Sequence, residues 1–297
     1  MKQTIIIAGG SGLIGAAIAR SFGDSADIVI LSRSEKKGSA NISYAKWDPE
    51  QGEVDQGVLE SADVVINLAG ESVNQRWTKT AKAGIMDSRV HATRTLVEGL
   101  NRCSEPKIFI SASAIGIYPD TQQWVSEDTK VGDSFLAEVC IAWENEAKKL
   151  NAVHTLIIPR IGMVLSSKGG ALDKLAPLFK LGLGSPIGSG QQWQSWIHVE
   201  DLARMFVYLT KNPKAGIYNA VAPEPVTNKS FGASLAKAVK RWYILPAVPA
   251  FVLRMVLGEM SVIALASNRV GSDKIRKQGF EYLYSDIDTA LQAIYKK

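Results

Sequence analysis

Two cysteines, Cys103 and Cys140, and three histidines are the only thiol and imidazole groups in a chain of 297 residues. Two thiols cannot build a disulfide framework, and no Cys/His cluster has zinc spacing, so neither a stapled secreted fold nor a metal centre is expected. Long hydrophobic runs are missing as well. The most lipophilic stretch, Trp242 to Leu265, is broken by Pro246, Pro249, Arg254 and Glu259. It falls short of the ~18 uninterrupted apolar residues that a spanning helix needs. Ile5-Ile6-Ile7 is too short for the core of a secretion signal and runs into glycines. A cytoplasmic protein without a membrane partner is the resulting expectation. Blocks of one charge sign are also absent. Net charge is +5, yet the densest basic stretches, Lys36-Lys37 and Lys237 to Arg241, read as solvated surface, which argues against nucleic acid as a partner.

What the chain does contain is ordinary globular composition, 46% hydrophobic and 21% charged, which leaves little room for disorder. Short β-branched runs at Thr4–Ala8, Ile28–Ser32, Ser43–Lys46, Val64–Leu68, Lys107–Ser111 and His154–Arg160 alternate with helical patterns. Ile14, Ile18 and Phe22 repeat every four residues, and Arg89–Leu100 and Phe135–Leu150 are amphipathic. That alternation predicts an α/β fold, a parallel sheet covered on both faces. After Arg160 seven glycines accumulate between Gly162 and Gly190, which reads as an irregular, lid-like segment. A helix from Val199, a strand at Gly216–Ala220 and a Pro-containing helical region to Ala266 follow. The boundaries implied are 1–163 plus 195–221 for a sheet domain, and 164–194 plus 222–297 for a smaller helical cap.

Gly9-Gly10-Ser11-Gly12-Leu13-Ile14-Gly15 follows the first strand directly, and its third glycine falls in the opening turn of a helix. Gly9 permits the tight turn, Gly12 lets the backbone approach a pyrophosphate, and Gly15 lets helix and strand pack closely. The helix N-terminus offers unpaired N–H groups and roughly half a positive charge to the phosphates. Glycine triplets also serve ordinary turns; the strand–loop–helix setting favours dinucleotide binding. The end of the second strand then discriminates between nucleotides. An NAD protein carries Asp or Glu there to accept from the ribose 2′-OH. Here Ser32-Arg33 stands instead, and Arg33 either pairs bidentately with a 2′-phosphate or is a solvated strand-end charge. A carboxylate would repel that phosphate by a few kcal/mol, so its absence favours NADP(H). Trp47-Asp48 would flank the adenine, unless Asp48 caps the turn before Pro49. Leu68-Ala69-Gly70 lets the backbone approach the ribose, and Arg89 either reaches back to a phosphate or is a surface charge.

These motifs, with Arg76-Trp77-Thr78, Ser111–Ala114, Phe135–Glu144, Gly169–Leu172, Ser195–His198, Tyr218–Ala220 and Leu257–Met260, carry a resemblance that covers almost the whole chain. The chain resembles the extended short-chain dehydrogenase/reductases, and more narrowly their atypical, nucleoside-diphosphate-sugar epimerase-like subgroup, also labelled cell-division-inhibitor-like. The resemblance implies a Rossmann-like, doubly wound parallel sheet binding NADP(H), and a C-terminal substrate cap. It implies cofactor contacts from Ser32, Arg33, Leu68, Ala69, Arg89 and Val164. The superfamily's usual chemistry uses a Ser, a Tyr and a Lys, the lysine lowering the phenol's pKa so that it exchanges a proton with the substrate oxygen.

Ser113 fits the serine, but the Tyr-x-x-x-Lys positions read Leu136 and Cys140, and neither supplies the missing acid. Tyr118 is a substitute proton donor or a packed loop aromatic. Trp196 and His198 are substrate contacts, or part of a strand running into a capped helix. Glu138 is a third substitute or a helix-surface charge. Two functions are compatible with these residues. One is an NADP(H)-dependent oxidoreductase or epimerase acting on a small or nucleotide-linked substrate; the other is a non-catalytic NADP(H)-sensing binding protein.

Overall fold

Ile5, Ile6 and Ile7 have no exposed surface, as expected for a central strand covered on both faces. The computed structural model describes residues 2–34, 36–39 and 41–296. The first half of the chain runs β1 (Gln3–Ala8), α1 (Leu13–Phe22), β2 (Ala26–Ser32), β3 (Ile42–Asp48), β4 (Glu53–Val54), α2 (Gln56–Ser61), β5 (Val64–Asn67) and α3 (Lys79–Leu100). It continues with β6 (Ile108–Ser111), β7 (Ser113–Ala114), β8 (Thr121–Val125), α4 (Phe135–Ala147) and β9 (Thr155–Ile161). The second half holds β10 (Met163–Leu165), α5 (Ala171–Lys180), β11 (Trp193–Gln194), β12 (Trp196–His198), α6 (Val199–Lys211), β13 (Gly216–Ala220), β14 (Val226–Thr227) and α7 (Asn228–Ala238). Its last elements are α8 (Ala250–Leu257), α9 (Val262–Leu265), β15 (Asn268–Val270), α10 (Asp273–Lys277) and α11 (Ile287–Tyr295).

The main sheet has the order β13-β9-β6-β5-β1-β2-β3-β4, and every pairing along it except β3–β4 is parallel. Period-2 alternation divides its side chains between two cores. Ile5 and Ile7 face α1 and α6 with Ile18, Phe22, Leu202 and Phe206. Ile6 and Ala8 face α2 and α3 with Leu59, Leu96 and Leu100. A third core joins α5, α7 and α11 through Leu172, Phe179, Phe231, Leu235 and Leu291, and Trp196 belongs to it. The architecture is therefore the doubly wound, Rossmann-like α/β sheet with a mostly helical C-terminal region.

Two expectations are corrected. Helix α3 starts ten residues before the amphipathic pattern at Arg89, because Thr78 caps it by accepting from the Ala81 N–H at 3.1 Å. The glycine-rich stretch is not irregular throughout: it contains β10 and a full helix, α5, launched from Gly170 at φ 77° and carrying Pro177 inside it.

Candidate cofactor and active site

The strand order reverses between β1 and β5. The chain winds outward from β1 through β2 and β3, then returns to β1's other side as β5. A crevice for a ligand opens at such a switch point, beyond the carboxyl ends of the strands. The glycine loop occupies that point. Gly9 has φ 81°, and a Cβ there would lie 2.9 Å from the Leu68 carbonyl carbon and 3.1 Å from the Ala69 nitrogen. At Gly15 a Cβ would lie 2.5 Å from the Gly9 carbonyl oxygen, and at Gly10 2.9 Å from Ile30. The turn closes with the Gly12 N–H donating to the Gly9 carbonyl at 3.1 Å. Helix α1 is capped by Gly12 with no side chain bonded to its first-turn N–H groups, so Ser11, Leu13 and Ile14 frame an amide cradle suited to a pyrophosphate.

Around this cradle the predicted cofactor residues fall into two groups. Ser32 ends β2 and is buried, its Oγ accepting from the Ser34 N–H at 3.3 Å, while Arg33 stands exposed beyond it. No carboxylate occurs between Leu31 and Ser34. Leu68, Ala69 and Gly70 line the opposite lip, and the Asn67 side chain ties it to α3 by bonds to Thr93 and to the Ala69 N–H. Val164 lies on β10, where the Gly169–Gly170 turn approaches Leu13 of the cradle. Three residues make contacts within the protein. Trp47 is buried in the core under α3, and Asp48 closes a turn by accepting from the Glu50 and Gln51 N–H groups. Arg89 donates to the Glu71 and Ile85 carbonyls at 2.9 Å and lies over the Trp143 ring, so it fastens the β5 loop to α3.

The residues expected to be catalytic lie in a closed polar network. Register places Ser113, Arg160 and Asn219 side by side on β7, β9 and β13. Ser113 Oγ donates to Glu144 Oε1 at 2.9 Å. Arg160 grips both oxygens of Glu144, Nε to Oε1 at 2.8 Å and Nη2 to Oε2 at 3.0 Å, with both side chains buried. Its Nη1 donates to the Tyr118 hydroxyl at 2.9 Å, which itself donates to Asn219 Oδ1 at 2.7 Å. Asn219 is held in turn by the Gly271 carbonyl and the Glu127 carboxylate. Tyr118 is 3% exposed, and burial, outweighing the Arg160 hydrogen bond, pushes its phenol up to about 12. Both hydrogen-bonding functions of the Tyr118 hydroxyl are thus engaged inside the protein, the arrangement of a packed aromatic.

On α4 the family's tyrosine and lysine positions are apolar or neutral. Leu136 packs on the turn at Gly116, and Cys140 is buried beside Ser113 and Ala114. Burial pushes the Cys140 thiol up to about 11, so it is neutral at ordinary pH. Iodoacetamide is therefore expected to alkylate the half-buried Cys103 first in native protein, and Cys140 only after denaturation, as read by peptide mass spectrometry.

The substrate candidates Trp196 and His198 are packed inside the protein as well. Trp196 has no exposed surface and donates its indole N–H to the Glu224 carbonyl at 2.9 Å. His198 is itself the N-cap of α6, its Nδ1 accepting from the Glu200 N–H at 3.2 Å, and its ring lies 4.1 Å from that of Tyr284. Burial lowers its pKa, outweighing Asp201 and Glu200, which keeps the cap neutral and accepting. Glu138 lies exposed in the first turn of α4. A cavity of about 240 Å³ bordered by Leu13, Arg20, Lys168 and His198 lies beside α1, and one of about 510 Å³ lies between α5, α7 and α11. Ser167 and Ile294 border both cavities.

Sequence reasoning missed the Glu144–Arg160 pair. Its signal was present: an arginine inside the apolar run Leu156–Ile161, and a carboxylate two helical turns after Leu136 on the same face. It also missed the ion pair between Lys82 of α3 and Glu259, which links the sheet side of the crevice to the cap.

This geometry defines a dinucleotide-binding α/β protein with its crevice between the β1 and β5 loops. The model of the NAD dependent epimerase/dehydratase family matches residues 5–221, and a domain of unknown function, DUF1731, matches residues 248–294. The chain belongs to the NAD dependent epimerase/dehydratase family. It is 36% identical over 304 residues to an epimerase family protein of Staphylococcus aureus (strain N315), with all of both chains covered. The crystal structure of the human epimerase family protein SDR39U1 with NADPH superposes with a TM-score of 0.89 at 27% identity, covering 99% of each chain. UDP-glucuronic acid 4-epimerase from Bacillus cereus, solved with UDP-glucuronic acid and NAD, shares the fold with a TM-score of 0.77 at 18% identity, covering 99% of this chain and 98% of that one.

Proposed function

We propose that this chain binds NADP(H) in preference to NAD(H) and uses it for hydride transfer to a small or nucleotide-linked substrate, by a route that does not pass through a tyrosine–lysine pair. One observation carries the coenzyme preference: Arg33 stands exposed at the end of β2, and no carboxylate occurs between Leu31 and Ser34. The NADPH in the human relative supports it. Gly9, Gly12 and the first turn of α1 hold the pyrophosphate, Ser32 and Arg33 the 2′-phosphate, and Leu68 to Gly70 the ribose. Bound there, the nicotinamide supplies or accepts the hydride. Val164 and the Gly169–Gly170 turn close over the cradle and limit water.

The buried network favours a second reading, a non-catalytic NADP(H)-sensing protein. Ser113 directs its proton into Glu144 rather than toward a substrate, and no group at positions 136 or 140 exchanges protons at neutral pH. Nicotinamide absorbance separates the two. Turnover of NADPH with a carbonyl or sugar-nucleotide panel is the expected result for the enzyme. NADPH binding with no turnover across that panel overturns hydride transfer and leaves sensing.

A further inference from the structure

The cap presents a continuous apolar face to solvent. Leu181, Trp242, Ile244, Phe251, Met255 and Val256 are between 63 and 82% exposed. They belong to one surface, because the chain segments that bear them are sewn together. Arg241 Nε donates to the Lys180 carbonyl at 2.7 Å, Ser185 Oγ to the Pro246 carbonyl at 2.6 Å, and the Val248 N–H to the Pro186 carbonyl at 2.8 Å. Tyr243 turns inward and stacks on Phe179 at 5.9 Å, so its neighbours Trp242 and Ile244 point out on the opposite side of an extended segment. Helix α8, which follows, buries none of its eight residues. Soluble monomers rarely leave so many large apolar side chains together in water.

Charge identifies the occupant. Between Val239 and Gly258 the chain carries Lys240, Arg241 and Arg254 and no carboxylate, and Lys180 adjoins them. All four are exposed, and the next acid, Glu259, is already paired with Lys82. A second copy of this chain docking about a two-fold axis would set this patch against itself, cations facing cations. An anionic bilayer complements it: apolar side chains enter the boundary between headgroups and acyl chains, Trp242 sits at headgroup level, and the basic groups meet lipid phosphates. We propose that this face of the cap rests on an anionic membrane surface, with α8 lying in the interfacial plane. No spanning element is involved, and among the described residues no helix is long and apolar enough to cross a membrane.

Sedimentation of the full chain with lipid vesicles tests this. Vesicles of phosphatidylcholine mixed with phosphatidylglycerol are expected to carry the protein down, those of phosphatidylcholine alone to leave it in solution, and added salt to weaken the binding. Arg254→Ala is expected to weaken binding about fivefold, and Trp242→Ser about tenfold or more. Both residues are exposed, so the urea midpoints of these variants should match that of the parent. Absence of binding to the anionic vesicles, or binding indifferent to both substitutions, overturns the proposal. So does a stable dimer by light scattering that Ile244→Ser dissociates, since the face would then be an interface between copies.

Discussion

Arg33→Ala is expected to weaken NADPH binding by about 10- to 100-fold while leaving NADH affinity nearly unchanged. The asymmetry follows from geometry. Arg33 lies just beyond the last residue of β2, the place from which dinucleotide-binding folds reach the adenosine ribose and its 2′ substituent. It is exposed, so the loss should appear in affinity and not in stability. Arg33→Glu should go further and invert the preference. A carboxylate there repels the 2′-phosphate and accepts from a free 2′-OH, the arrangement NAD proteins use. Fluorescence titration with both reduced coenzymes reads the two variants directly. Equal losses for NADPH and NADH would mean that Arg33 acts on something common to both.

Arg160→Leu should be the most damaging single change for stability, about 3–5 kcal/mol, measured by urea unfolding. It leaves Glu144, 2% exposed, with its charge buried and only Ser113 and the half-exposed Lys148, at 3.5 Å, for partners. The double variant Arg160→Leu with Glu144→Leu should recover much of the loss, because removing both charges leaves no ion stranded. The pH dependence separates the proteins again. In the parent, burial raises the Glu144 pKa, but the Arg160 hydrogen bonds and charge, with Ser113, carry it below its ordinary 4.5. Its contribution to stability is therefore full above pH 4.5 and is lost as pH falls through the lower folded value. Without Arg160 only Ser113 and Lys148 oppose the burial effect and the folded pKa rises, so the single variant should gain stability on acidification where the parent loses it.

The parts of the site that were legible in the sequence are those made by neighbours in the chain. Gly9 to Gly15 shape their turn with their own backbone, and Ser32-Arg33 is placed by the strand that ends there, so spacing alone put both at the switch point. The vacancy at Leu136 and Cys140 was legible for the same reason, since a helix converts a four-residue interval into a shared face. Tyr118 shows the limit. Its distance from Ser113 along the chain is short, yet what decides its role is Arg160 and Asn219, 42 and 101 residues away, which turn the phenol inward. Trp196 and His198 look chemically able in isolation, but the β12–α6 junction uses one as core and the other as a cap. The helix at Ala171–Lys180 was hidden because its signals contradict helix: two glycines at its start, both at positive φ, and a proline within it. Tertiary packing of Leu172 and Phe179 overrides them.

Isothermal titration of the unmodified protein with NADPH and NADH in the same buffer is the most direct measurement. NADPH binding at least tenfold more tightly is the predicted result, matching the loss expected when the Arg33 guanidinium has no 2′-phosphate to hold. Equal affinities, or tighter binding of NADH, would contradict the assignment of Arg33 and with it the coenzyme on which the proposed function rests.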